Sequence, residues 1–105
     1  MVLQHFELQI LLAVLHHGDE TYSVPLVLDL EQRLDRSVAQ AAVFIALSRL
    51  EKKGLLISRF DAPDTGRARR YFRLTRHGLA VVRDAHEEHA RLWRGAGRLL
   101  KDTRS

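Results

Sequence analysis

Residues 41–78 read AAVFIALSRLEKKGLLISRFDAPDTGRARRYFRLTRHG, and three elements can be taken from them in order. On a helical wheel Val43, Ala46, Leu47 and Leu50 fall on one face. Ala41, Ile45, Ser48 and Lys52 fall on the opposite face, flanked by Ala42 and Arg49. The outer face is thus small, mildly polar and partly basic, with Ile45 in its middle. Gly54 stops the helix. Leu55 to Asp61 alternates weakly and is rich in branched residues, which predicts a strand. Ala62-Pro63-Asp64-Thr65-Gly66 predicts a turn, and Arg70 to Leu74 the returning strand. The result is a β-hairpin with Arg67, Arg69 and Arg70 at or near its tip. Thr75 is placed to cap a further helix.

Upstream, Ser37 and Gln40 have the spacing of a capping box for the helix that follows them. A helix is expected over Ser23 to Leu34, with Pro25 in its first turn, where the missing N–H costs nothing. Residues 3–17 predict another, ended by Gly18. From Leu8 onward its apolar residues cover nearly the whole circumference, so burial on all sides is expected. In so small a protein this suggests that a second chain covers one side, which puts Leu8 and Leu12 at an interface. Downstream, one continuous helix is expected over about residues 76–101, near 38 Å long at about 1.5 Å per residue. Leu79, Val82, His86, His89, Trp93, Ala96 and Leu100 form a heptad seam along it. Gly95 and Gly97 weaken its end by about 1 kcal/mol each relative to Ala. A helix that outruns its own core should pair with a second copy through Leu79, Val82, His86, His89, Trp93 and Leu100. The expected fold is mainly α with a small β-hairpin: a winged helix-turn-helix over residues 1–75, then a long C-terminal dimerisation helix over residues 76–105.

The 105 residues carry a formal charge of +4, unevenly spread. Residues 49–76 hold nine basic and three acidic side chains, whereas residues 1–48 hold two basic and six acidic. A positive field focused on one segment suits an acidic partner or a solvated face. There is no Cys, which excludes a disulfide scaffold, thiolate metal sites and a thiol nucleophile, and fits a cytoplasmic location. The apolar run Leu8 to Leu15 is far short of the roughly 20 residues that span a bilayer, and no secretory leader is expected. His86-Glu87-Glu88-His89 lacks metalloprotease spacing, and no phosphate loop or nucleophile elbow occurs. Neither metal, cofactor nor enzymatic activity is expected.

Three stretches resemble the PadR family of bacterial transcriptional regulators: FELQILLAVLHHGDETYSVPL at 6–26, AAVFIALSRLEKKGLL at 41–56 and GRARRYFRLTRHG at 66–78. The third, wing arginines followed by Y-F-R-L-T-x-x-G, is the most specific. The chain departs from the family at Ser23, where Gly is common after Tyr22. It departs again at Phe44, where a Tyr is common and would supply a hydroxyl to DNA. A single final helix matches the short subfamily. The resemblance implies a homodimer that represses transcription from a pseudo-palindromic operator, and, as in some members, a small-molecule inducer held near the dimer interface.

The N-terminal half of the second helix of such a motif enters the major groove, which here means Gln40, Ala41, Phe44, Ile45 and Ser48. Phe44 or Ile45 can touch a thymine methyl. Each has a plainer reading: Gln40 as a helix cap, Phe44 as core packing, Ile45 as an isolated exposed residue. Arg49 and Lys53 would meet phosphates, or be ion-paired or solvated. Arg67, Arg69 and Arg70 would reach backbone or minor groove, or be solvated at the loop. Tyr22 can hydrogen-bond a phosphate or pack. Trp93 is interface packing or the lining of an inducer cavity. His86 and His89 can make dimerisation pH-sensitive. The alternative to a DNA-binding regulator is a winged helix protein-interaction module without specific DNA binding.

Overall fold

A computed structural model describes residues 3–62 and 66–103. In chain order the elements are α1 (His5–His16), α2 (Ser23–Leu34), α3 (Gln40–Lys52), β1 (Leu56–Asp61), β2 (Arg69–Leu74), α4 (Arg76–Trp93) and α5 (Ala96–Asp102). The strands are antiparallel, in register from Leu56 opposite Leu74 to Asp61 opposite Arg69. Thr21 bridges the other edge of β2 through two backbone bonds with Phe72. The segment before α2 is thereby tied to the hairpin. The centre of the expected turn, residues 63–65, lies outside the described residues.

The core lies where the first three helices and the hairpin meet. Ile10, Leu11 and Val14 of α1 pack with Leu26 and Leu30 of α2, and with Val43, Leu47 and Leu50 of α3. Leu55, Leu56 and Phe72 close it from the hairpin side. The buried face of α3 is the one that the helical wheel selects. Within the single chain one side of α1 is left open: Leu8 is half-buried, and Leu12 and Leu15 are exposed.

Two local expectations are corrected. Ser37 and Gln40 do not form a capping box. The N-cap of α3 is Ala39, with no side-chain cap, and the Val38 N–H donates to Glu31 Oε2 of α2 at 3.1 Å. Gln40 Nε2 instead lies 3.5 Å from Ser23 Oγ. The capping glutamate is in α1, where the Gln4 backbone N–H donates to Glu7 Oε1 at 2.8 Å.

The second correction is the final helix, which is two helices. It breaks at Arg94-Gly95, where Gly95 takes a left-handed φ of 82° before α5 begins. Such a conformation is easy for Gly and ends helices generally. Leu100 lies beyond the break, in α5. Val82 is also not on an outward seam: it is buried in the core of its own chain. Thr75 does cap α4, accepting from the Gly78 N–H at 2.9 Å. Thr75 further donates its N–H to Leu55 O and its hydroxyl to Gly54 O, which staples α4 to the exit of α3.

Candidate nucleic-acid interface

Because α3 buries Val43, Ala46, Leu47 and Leu50, its opposite face is left outside. Gln40, Ala41, Phe44, Ile45 and Arg49 are exposed there and Ser48 is half-buried. Ile45 is 53% exposed, more than helix packing alone requires. The hairpin stands beside this face. An open groove of about 580 Å³ separates the two, with Gln40 and Phe44 on one wall, Phe60, Arg67 and Arg70 on the other, and Tyr22 at its end.

Strand alternation decides which hairpin residues face the groove. Ser58 pairs with Phe72 and Phe60 with Arg70, so these four share the α3 side of the hairpin. Arg70 is anchored there rather than free at the tip. Its guanidinium pairs with Glu51 of α3, and its Nε donates to Ser58 Oγ at 3.0 Å. It also lies 4.9 Å from the ring centre of Phe72, 5.7 Å from that of Phe60 and 5.8 Å from that of Phe44. Such cation–π placement is attractive at these distances. The Ser58 hydroxyl hydrogen bond, opposed by burial and aided by Arg70, holds the Glu51 carboxyl below the ordinary glutamate range. Arg70 is therefore a strut that fixes the hairpin against the last turn of α3.

The other side of the hairpin carries a chain of cations and rings. Arg59 pairs with Glu20 and lies 4.9 Å above Tyr71. Tyr71 meets Tyr22 edge-on at 5.5 Å, and Arg69 lies 4.7 Å above the Tyr22 ring. A hydrogen bond with Tyr71 and the nearby phenols raise the Arg69 pKa further above neutrality. Tyr22 thus packs under an arginine of the wing. Arg67 is exposed at the tip.

Lys53 points away from this face. Its ammonium contacts Glu7 at 2.8 and 3.0 Å, and Glu7 is only 1% exposed. Burial pushes the Glu7 carboxyl up, but the bonds from Lys53 and the Gln4 N–H outweigh it and leave the pKa lowered. A carboxylate buried on the inner face of α1 needs that cation. Arg49 Nη1 lies 3.4 Å from Gln4 Oε1.

The residues expected at a dimer interface are dispersed. Leu8 lines a cleft between α1 and α4 with Val81, Ala85 and Glu88. Leu79 is half-buried, while Leu12, His86, His89, Trp93 and Leu100 are exposed. Trp93 stacks at a tilt 5.6 Å from His89, and Leu92 and Leu99 are exposed nearby. Among the described residues there is no cluster of His, Asp or Glu able to hold a metal ion, and no helix long and apolar enough to cross a membrane.

Sequence reasoning overlooked Glu7, Glu20, Glu51, Ser58 and Phe60. Glu51 and Phe60 could have been suspected, since a Glu opposite three wing arginines invites pairing and a Phe beside a turn has little core to enter. Glu7 carried no signal of its own.

The model of the transcriptional regulator PadR-like family matches residues 11–84. No curated protein matches the sequence. Among solved structures, a PadR family transcriptional regulator from Eggerthella lenta is 28% identical, with a TM-score of 0.71 over 90% of this chain and 87% of that one. A PadR-like transcriptional regulator from Bacillus cereus is 22% identical, with a TM-score of 0.74 over 90% of each chain. Bacillus subtilis PadR in complex with operator DNA is 18% identical, with a TM-score of 0.67 over 77% of this chain and 46% of that one.

Proposed function

Since this chain belongs to the PadR-like family of transcriptional regulators, we propose that it acts in the cytoplasm as a homodimeric repressor. It binds a pseudo-palindromic operator in double-stranded DNA. The observation that carries this reading is the outer face of α3, where Gln40, Ala41, Phe44 and Ile45 stand clear of the chain's own core beside a wing tipped by Arg67 and Arg69. Small side chains allow a helix to approach base edges closely, and apolar ones meet thymine methyls. The solved complex of Bacillus subtilis PadR with operator DNA supports the partner class.

In this reading Gln40, Phe44 and Ile45 read bases, and Arg49, Arg67 and Arg69 neutralise phosphates. Lys53 and Arg70 act indirectly, by holding α3 against α1 and against the wing. Residues 76–105 form the dimerisation arm. The exposed Leu12, Trp93 and Leu100 meet a second copy, which sets the two α3 helices about 34 Å apart in successive major grooves. A small-molecule inducer held at Trp93 would release DNA only by binding the non-competent arrangement more tightly.

The test is fluorescence anisotropy with labelled duplex from directly upstream of the protein's own gene, titrated at several salt concentrations with excess random duplex. Tight binding that survives the competitor is expected. Arg67→Ala should lower the slope of log K against log salt by about 1, and Ile45→Ala should erode the preference for operator over random DNA. Loss of all binding into the competitor at every salt would refute the reading for this duplex and favour a protein-interaction module.

A further inference from the structure

Phe60 is the most exposed aromatic side chain of the wing, 71% open to solvent, on the hairpin side that faces α3. It contributes nothing to the core. Its ring is nevertheless held: Arg70 lies 5.7 Å from its centre and is itself fixed by Glu51 and Ser58. Across the groove stands Phe44, 44% exposed. Arg67 and Arg69 rim the same groove. An apolar ring held beside Arg70, in a groove rimmed by cations, is unlike a solvated wing, where an exposed Phe only loses solubility.

We propose that Phe60 is a DNA-contacting residue that packs its ring against the deoxyribose of the strand running between α3 and the wing. The inference rests on the reading of this face as the DNA interface and adds a contact to it. When a helix occupies the major groove and an adjoining hairpin reaches the minor groove, one sugar–phosphate strand must lie in the trough between them. Its outer edge is anionic and its sugar faces are largely apolar. The trough has the complementary pattern, with arginines at the rim and aromatic rings on the walls. Phe60 lines the trough together with Arg67, and so meets a sugar of the strand rather than wedging between bases. Such a contact carries no sequence information and releases no counterion. It should therefore strengthen binding to any duplex equally and leave the salt dependence unchanged.

The experiment compares the full-length protein with Phe60→Ala and Phe60→Leu by anisotropy. The probes are a random duplex at low salt and the duplex from upstream of the protein's own gene. Phe60→Ala should bind both duplexes roughly tenfold more weakly, the scale of losing part of one aromatic side chain's burial, with an unchanged salt slope. Phe60→Leu should fall between. Single ribonucleotides placed along the strand should weaken the wild type at one or two positions, where a hydroxyl is pressed against the ring, and should not affect Phe60→Ala. An unchanged melting temperature shows that the fold is intact, as expected for an exposed side chain. Affinity of Phe60→Ala within about twofold of wild type on both duplexes would overturn the proposal. So would a lowered salt slope, or an effect confined to oligomeric state, which would mark Phe60 as a protein contact. A wild type that binds random but not upstream duplex refutes operator preference alone and still judges Phe60. A wild type that binds neither duplex overturns both readings.

Discussion

Gly78→Ala should destabilise the protein, although helix propensity alone predicts the reverse. Gly78 lies in the first turn of α4, where its N–H is bonded to Thr75 Oγ1. A Cβ at this position would come 2.1 Å from the Leu55 carbonyl oxygen, 3.0 Å from its carbon and 3.1 Å from Leu74 Cδ2. The first distance falls more than about 1 Å short of van der Waals contact. The obstructing atom is backbone, and it cannot turn aside. Leu55 O accepts the Thr75 N–H at 3.1 Å, and the Leu55 N–H is bonded to Leu50 O at 3.0 Å. Relief requires α4 to lift off the exit of α3, which also draws Val82 from the core.

Overpacking of this kind costs about 1–3 kcal/mol or more, and a disturbed cap about 1 kcal/mol. The better helix propensity of Ala returns about 1 kcal/mol. The net loss is about 1–3 kcal/mol, which lowers the melting temperature by roughly 5–20 °C in a domain of this size. Gly97→Ala is the control. A Cβ at this position in α5 would meet nothing within 4 Å, so the same chemical change should be neutral or stabilising by up to about 1 kcal/mol. Circular dichroism during heating and urea unfolding would measure both, at one fixed chain concentration because association shifts apparent stability. A Gly78→Ala protein as stable as wild type would refute the argument from close approach.

Lys53→Met should cost about 3 kcal/mol by leaving the Glu7 carboxylate buried without its cation, whereas Glu7→Met with Lys53→Met should cost less than Lys53→Met alone, as urea unfolding would show. The same carboxylates predict acid lability. Glu7, Glu20 and Glu51 are each lowered from an ordinary 4.5, so the folded state binds fewer protons than the unfolded chain. Their contribution is therefore complete above about pH 5 and is lost as the pH falls through the lowered values. Melting temperature should drop between about pH 5 and pH 3, and Glu7→Gln with Glu51→Gln should flatten that drop. An equally steep drop in the double variant would place the acid sensitivity elsewhere.

Much of the architecture was legible because its signals are local. The bounds of α2, the buried face of α3, the hairpin and the Thr75 cap follow from side chains within a turn or two of one another. The capping box at Ser37 and Gln40 failed on the same scale, because Glu31, from the preceding helix, reached Val38 first. The continuous final helix failed because a heptad count registers side chains and not the left-handed φ that Gly95 adopts. Val82 fitted that seam, and only the packing of α4 on the core shows that it faces inward.

The sequence by itself determined where the first three helices and the basic hairpin lie and which family the chain resembles. Periodicity and turn chemistry act between near neighbours and leave a readable trace. Only the tertiary structure decided how the cations divide. Lys53 reaches Glu7 across 46 positions, Arg59 reaches Glu20 across 39 and Arg70 reaches Glu51 across 19. Those pairings take three of the nine basic side chains of residues 49–76 into the chain's own scaffold. Arg67 is left exposed at the wing tip, and Phe60 is set beside α3. Coulomb attraction selects a partner by distance in space, and that distance exists only once the helices have packed.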